Sequence, residues 1–123
     1  MILSFKAEFE AKIRAGTKIH TIREDASGRW RPGRKIHADV HVRTKRQRRI
    51  FEGECKAVQP VFLDPVTRTI LIAKDGLEKS FIQSPFTQLQ LAQNDGFASL
   101  DDFWAWFDKP FRGKLIHWTG FTY

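Results

Sequence analysis

Ala15-Gly16-Thr17-Lys18-Ile19-His20-Thr21-Ile22-Arg23-Glu24-Asp25 joins a helical pattern to a strand pattern, and the rest of the chain is read outward from it. Phe9 and Ile13, four residues apart, share one face of a short helix over residues 7–15. Gly16 then reads as the residue that ends the helix with positive φ. From His20 to Arg23 the pattern suits a strand, with Thr21 and Arg23 on one face and Ile22 on the other. In a continuous strand, positions three apart point to opposite faces, so Lys18 and Thr21 meet only if Lys18 is still in the turn or a bulge intervenes. That meeting matters chemically. A threonine hydroxyl is a poor nucleophile until a base takes its proton, and a lysine serves as that base only where desolvation or nearby positive charge lowers its pKa. Arg23, on the side of Thr21, supplies such a charge.

The remaining strand signals point to a single α+β domain over residues 1–123, a small mixed β-barrel with two or three peripheral helices. The opening Ile2 to Phe5 is one short strand. Residues 35–42 are the clearest, with Ile36, Ala38, Val40 and Val42 alternating with Lys35, His37, Asp39 and His41. Residues 50–63 are long and β-prone, and Gly53 and Pro60 suggest a bend there. Asp64-Pro65 and Lys74-Asp75-Gly76 are turn signals around a strand over residues 69–73, and a closing strand runs over residues 113–118. Ser84-Pro85 opens a helix that Asn94-Asp95-Gly96 ends. Ser99 with Asp102 caps a second, whose Phe103, Trp106 and Phe107 share a core face, and Pro110 stops it.

Charge is unevenly placed. Residues 1–50 hold 14 Lys/Arg against 5 Asp/Glu, whereas residues 51–123 hold 7 against 9. A field confined to one half favours an anionic partner, RNA or a phosphate rather than a membrane, because no basic amphipathic helix accompanies it. Arg43, Lys45, Arg46, Arg48 and Arg49 put five cations in seven residues between two strand patterns, an exposed loop suited to contacting RNA phosphates. Arg29, Trp30 and Arg31 lie in a loop. There Trp30 either stacks on a base beside the Arg29 guanidinium or folds back to plug one end of the barrel. His37, Asp39 and His41 invite a metal, but on a straight strand the two imidazoles lie about 13 Å apart, too far for one ion. No metal or cofactor is expected. The single Cys55 excludes an internal disulfide and reads as a buried spectator thiol. With neither a signal-peptide pattern nor a transmembrane span, the expected location is cytoplasmic.

Gly16-x-Lys18-x-x-Thr21-x-Arg23 resembles the G-x-K-x-x-[E/T]-x-R signature of ASCH (activating-signal-cointegrator homology) domains, members of the PUA-like superfamily of RNA-associated β-barrels. Trp30-x-x-Gly33 before a strand and Asn94-Asp95-Gly96-Phe97 before an aromatic helix resemble the family too, so the likeness spans most of the chain. Thr at the sixth motif place is similar to the small bacterial amidohydrolases that deacylate acetylcytidine. By that resemblance Lys18, Thr21 and Asp95 are catalytic, Asp95 orienting the lysine or protonating the leaving amine; Arg23, beside Thr21, and Trp30 with Arg29, an aromatic next to a guanidinium, are then the expected substrate-binding residues. Those enzymes carry Glu where Asp95 aligns, so Glu24, Asp25 and Glu54 stand as alternatives. Two other functions follow from the family. One is a non-catalytic RNA-binding module. The other is an ASCH-type ribonuclease in which Lys18 stabilises phosphorane charge and His20, His37 or His41 moves protons.

Overall fold

The computed structural model describes residues 2–74, 78–82 and 84–123. The turn read at Lys74-Asp75-Gly76 falls on residues 75–77, outside the described ones. The fold is α+β, with eight strands in two sheets, three α-helices and a 3-10 turn at Ala7–Phe9 among the described residues. The first sheet contains β1 (Ile2–Phe5), β3 (Lys35–Val40) and β4 (Arg48–Glu54), with β1 parallel and β4 antiparallel to β3. The second is antiparallel, in the order β2 (His20–Arg23), β8 (Phe111–His117), β5 (Ala57–Asp64), β6 (Thr69–Lys74) and β7 (Glu78–Ile82). Strand pairing among the described residues thus makes two sheets and does not itself close the barrel that strand spacing suggested.

One corner joins the sheets. Cys55 donates its N–H to the Arg34 carbonyl at 2.7 Å and accepts from the Gly33 N–H at 2.8 Å, on the first-sheet side. One residue later the Lys56 N–H donates to the His117 carbonyl of β8 at 2.8 Å. The long β-prone run therefore breaks at Cys55-Lys56 rather than at Gly53 or Pro60. Pro60 stays inside β5, opposite Lys114, where the β6 ladder has not yet begun, so its missing N–H is tolerated. Cys55 itself is buried, and burial pushes its thiol pKa up, as suits a spectator.

β3 shows why the alternation was legible and where it failed. Ile36, Ala38 and Val40 are buried in the core as read. The strand stops at Val40 rather than Val42, because His41 and Arg43 turn the chain with φ of 54° and 65°. The register slips between Ala38 and Asp39, and Asp39 is buried, accepting from Arg49 Nε at 2.7 Å and Gln47 Nε2 at 2.9 Å. His37, Asp39 and His41 thus do not stand in a row, and no group of three His, Cys, Asp or Glu suited to a metal occurs among the described residues.

The helices serve to place the site. In α1 (Glu10–Ala15), Ile13 is buried below Phe9, and Gly16 ends the helix with φ of 79°. The N–H groups of Thr17 and Lys18 both donate to the Lys12 carbonyl, at 3.0 and 3.1 Å, and Ile19 N–H donates to the Asn94 carbonyl at 2.8 Å. Lys18 therefore lies in the turn, before β2 begins. In α2 (Pro85–Asn94), Ser84 accepts from the Phe86 N–H, Pro85 occupies the first turn, and Gly96 with φ of 98° closes the end. In α3 (Leu100–Trp106), Ser99 Oγ accepts from the Asp102 N–H at 3.1 Å. Phe103 and Phe107 reach the core with Trp104. Trp106, read as core from the helix face, is 44 % exposed. No helix is long and apolar enough to cross a membrane among the described residues.

Candidate active site

A cavity of about 810 Å³ opens where the α1 turn, β2, the end of α2 and the loop after β3 converge. Lys18, Thr21, Arg23 and Asp95 all line it, with Phe5, Phe9 and Trp106 supplying aromatic wall. The placement follows from the local chain. Thr21 and Arg23 share one face of β2, and Lys18 reaches the same space from the turn. Asp95 is the last residue before Gly96 reverses the chain.

Lys18 is 2 % exposed. Its Nζ donates to the His20 carbonyl at 3.0 Å and to the Asp95 carbonyl, and lies 3.6 Å from Asp95 Oδ1. Burial lowers its pKa to about 8 against the upward pull of Asp95, with Arg23 adding to the decrease. The two backbone carbonyls match the two hydrogens of a neutral amine and leave its lone pair free to take a proton. Lys18 and Thr21 line the same cavity, and no hydrogen bond joins Lys18 Nζ to Thr21 Oγ1. Thr21 Oγ1 instead accepts from Arg23 Nε at 3.2 Å, which leaves its own hydrogen to be donated. Arg23 also donates from Nη2 to the Ser4 carbonyl at 2.5 Å, and its guanidinium lies 4.9 Å from the centre of the Phe5 ring.

Asp95 is 2 % exposed, and its Oδ1 accepts from His20 Nδ1 at 3.0 Å. Its Oδ2 has no hydrogen-bond partner among the described residues. Of the carboxylates considered from sequence, only Asp95 lines the cavity. Asp25 accepts the N–H groups of Arg29 and Trp30, both at 2.9 Å, Glu54 pairs with Lys56 at 2.9 Å, and Glu24 is exposed.

His20, which the sequence suggests only as a ribonuclease group, is the centre of what lies behind the cavity. Burial holds its pKa below the ordinary value. As a neutral ring donating from Nδ1 to Asp95, it accepts at Nε2 from Tyr123 OH, 2.6 Å away, and Tyr123 OH accepts from Asn94 Nδ2 at 3.1 Å. His117, its pKa lowered to about 4 by burial, donates from Nε2 to Gln59 Oε1 at 2.8 Å, and Gln59 Nε2 donates to the Tyr123 carbonyl at 2.8 Å. Asp95 is thus oriented by the buried His20, which the half-buried Tyr123 and Asn94 hold in turn. Alternation along β2 puts His20 on the face opposite Thr21, and Asn94 stands beside Asp95 in the helix-ending motif, but Tyr123 gave no sign in the sequence, being brought there only by tertiary packing.

The other sequence-derived contacts are placed differently. Trp30 is 6 % exposed and packs in the core, and neither it nor Arg29 lines the cavity, so the proposed stacking grip gives way to packing. In the basic loop, Arg48 makes a two-pronged ion pair with Glu10, and Arg49 pairs with Asp39 and with Glu52 at 3.1 Å. Both are already neutralised, which removes them from the free prong. Arg43, Lys45 and Arg46 are exposed, and His41 and Arg43 line the cavity itself. The chain matches no protein-family model, no curated protein and no solved structure.

Gly96 tests how tightly this site is held. A Cβ there would lie 2.8 Å from Phe9 Cδ1 and 2.9 Å from Lys18 Cδ, at a backbone φ of 98°. Gly96→Ala is expected to cost about 2–4 kcal/mol in denaturant unfolding, strain and crowding acting together. An unchanged midpoint would show that the Lys18 stem and Phe9 yield freely.

Proposed function

We propose that this chain is an ASCH-type amidohydrolase with a PUA-like barrel arrangement, removing an acyl group from the exocyclic amine of a cytidine-type nucleoside. One observation carries the reading: a buried lysine of lowered pKa, a threonine hydroxyl and a carboxylate line one cavity. In the reaction, neutral Lys18 takes the Thr21 hydroxyl proton as Oγ1 attacks the acyl carbonyl carbon. Arg23, already on Oγ1, offers positive charge beside the oxyanion that develops. Collapse breaks the C–N bond and expels the amine, which receives a proton from Lys18 or through Asp95. The acyl group remains as an ester on Thr21 until water, deprotonated by the same base, releases the carboxylic acid. Because no direct Lys18–Thr21 hydrogen bond is made without ligand, this contact must tighten when substrate fills the cavity. The test is incubation of purified protein with acetylcytidine, with cytidine and acetate measured. Release of neither overturns the reading.

The exposed cations Arg43, Lys45 and Arg46 favour a second reading, a module that binds RNA without hydrolysing anything. Replacing Lys45 and Arg46 together by Ser is expected to weaken RNA binding, lowering the slope of log affinity against log salt by roughly one per lost phosphate contact. Arg48→Ser and Arg49→Ser should leave the slope nearly unchanged, since both side chains already face carboxylates. A slope that falls with Arg48 or Arg49 instead would return those two residues to the RNA surface.

A further inference from the structure

The cavity carries more positive charge than amide hydrolysis requires. Lys6, Lys18, Arg23 and Arg43 line it, and Asp95 is its one carboxylate. Among the described residues, Asp95 is the only carboxylate within ion-pair distance of any of the four, and it reaches Lys18 alone. The other three have no carboxylate partner: Lys6 Nζ lies 4.7 Å from the Trp106 ring centre, and Arg23 lies 4.9 Å from the Phe5 ring centre and donates to the neutral Thr21 hydroxyl and Ser4 carbonyl. Aromatic faces stabilise a cation without cancelling its charge. By contrast, Arg48 and Arg49 at the start of β4 are paired with carboxylates. A concave site with uncompensated guanidinium groups at one side focuses field on whatever enters it.

We infer that the ligand of this cavity carries a phosphate, held on the Arg23 and Arg43 side while the base lies among Phe5, Phe9 and Trp106. The inference rests on the amidohydrolase reading for the base but not for the anion. Arg43 provides the planar, two-pronged donor set that phosphate oxygens fit, and Arg23 keeps part of its guanidinium free beyond Thr21 and Ser4. The phosphate belongs either to a free mononucleotide or to a nucleotide within an RNA chain.

Calorimetric titration of the wild-type protein and Arg43→Gln separates these cases. The probes are cytidine, cytidine 5′-monophosphate and a cytidine trinucleotide with a free 5′ hydroxyl, none of which bears an acyl group. The wild type is expected to bind at least one phosphate-bearing probe about tenfold or more tightly than cytidine, and Arg43→Gln and added salt should shrink that ratio. A preference for the monophosphate assigns a free nucleotide, and a preference for the trinucleotide alone assigns a chain. Equal affinity for all three, or a preference untouched by Arg43→Gln, overturns the inference. Because binding is read without turnover, absence of hydrolysis would sink the amidohydrolase and leave the anion site standing.

Discussion

Lys18→Met and Thr21→Val are each expected to lower kcat/KM for acyl-cytidine hydrolysis by roughly a thousandfold or more, and the double variant to fall less than about tenfold further. The two side chains perform one step, since a base without a nucleophile and a nucleophile without a base are equally idle. Thr21→Ser keeps the hydroxyl and should retain part of the rate. The rate of the wild type should climb with pH through about 8, because neutral Lys18 is the active form and its population grows above its pKa. Thermal unfolding must accompany these assays: Lys18→Met strips a donor from the His20 and Asp95 carbonyls and costs stability on its own account. Thr21→Val is the cleaner variant, removing only an acceptor from Arg23 Nε. Full activity in folded Thr21→Val would remove the nucleophile.

Local rules made much of this molecule readable. The Gly16 turn, the Ser84 and Ser99 caps, the Gly96 helix end and the core face of β3 are each set by a few neighbouring residues, so the sequence announces them. For Lys18 the sequence left two geometries, a turn or a bulge, and the hydrogen bonds of the Thr17 and Lys18 N–H groups to the Lys12 carbonyl select the turn. What escaped the sequence depends on distant partners. Asp39 looked like a surface residue until Arg49 and Gln47 came round to bury it, and Trp106, read as core from its helix face, is exposed while Trp104 is buried. The neutralisation of Arg48 needs Glu10, 38 residues away, and the orientation of Asp95 needs His20 and Tyr123. β7 was missed for a similar reason: an edge strand formed by pairing with β6 carries little pattern of its own.

Asp95→Asn separates a catalytic carboxylate from a helix-ending residue. Asparagine ends helices well, and its side-chain oxygen can still accept from His20 Nδ1, so the local fold should persist. The loss is chemical, since the proton route to the departing amine through Asp95 is gone and Lys18 alone remains to supply it. Hydrolysis is expected to fall roughly a hundred- to ten-thousandfold. A second effect identifies its cause. The negative charge of Asp95 holds the Lys18 pKa up against burial, so its removal should carry that pKa below about 8, and the rising limb of the pH–rate profile should move to lower pH. Stability follows the same sign. With its folded pKa depressed, Lys18 binds fewer protons in the native state than in the unfolded chain between about 8 and the model-compound value of 10.5. Wild-type stability therefore gains from this residue as pH rises across that window. In Asp95→Asn the gain should begin at lower pH. A residue that merely ended α2 would leave the rate at its plateau unchanged while the limb and this onset still moved, since those follow from the charge alone, and that result would take Asp95 out of the reaction and return the search to a group supplied by the substrate.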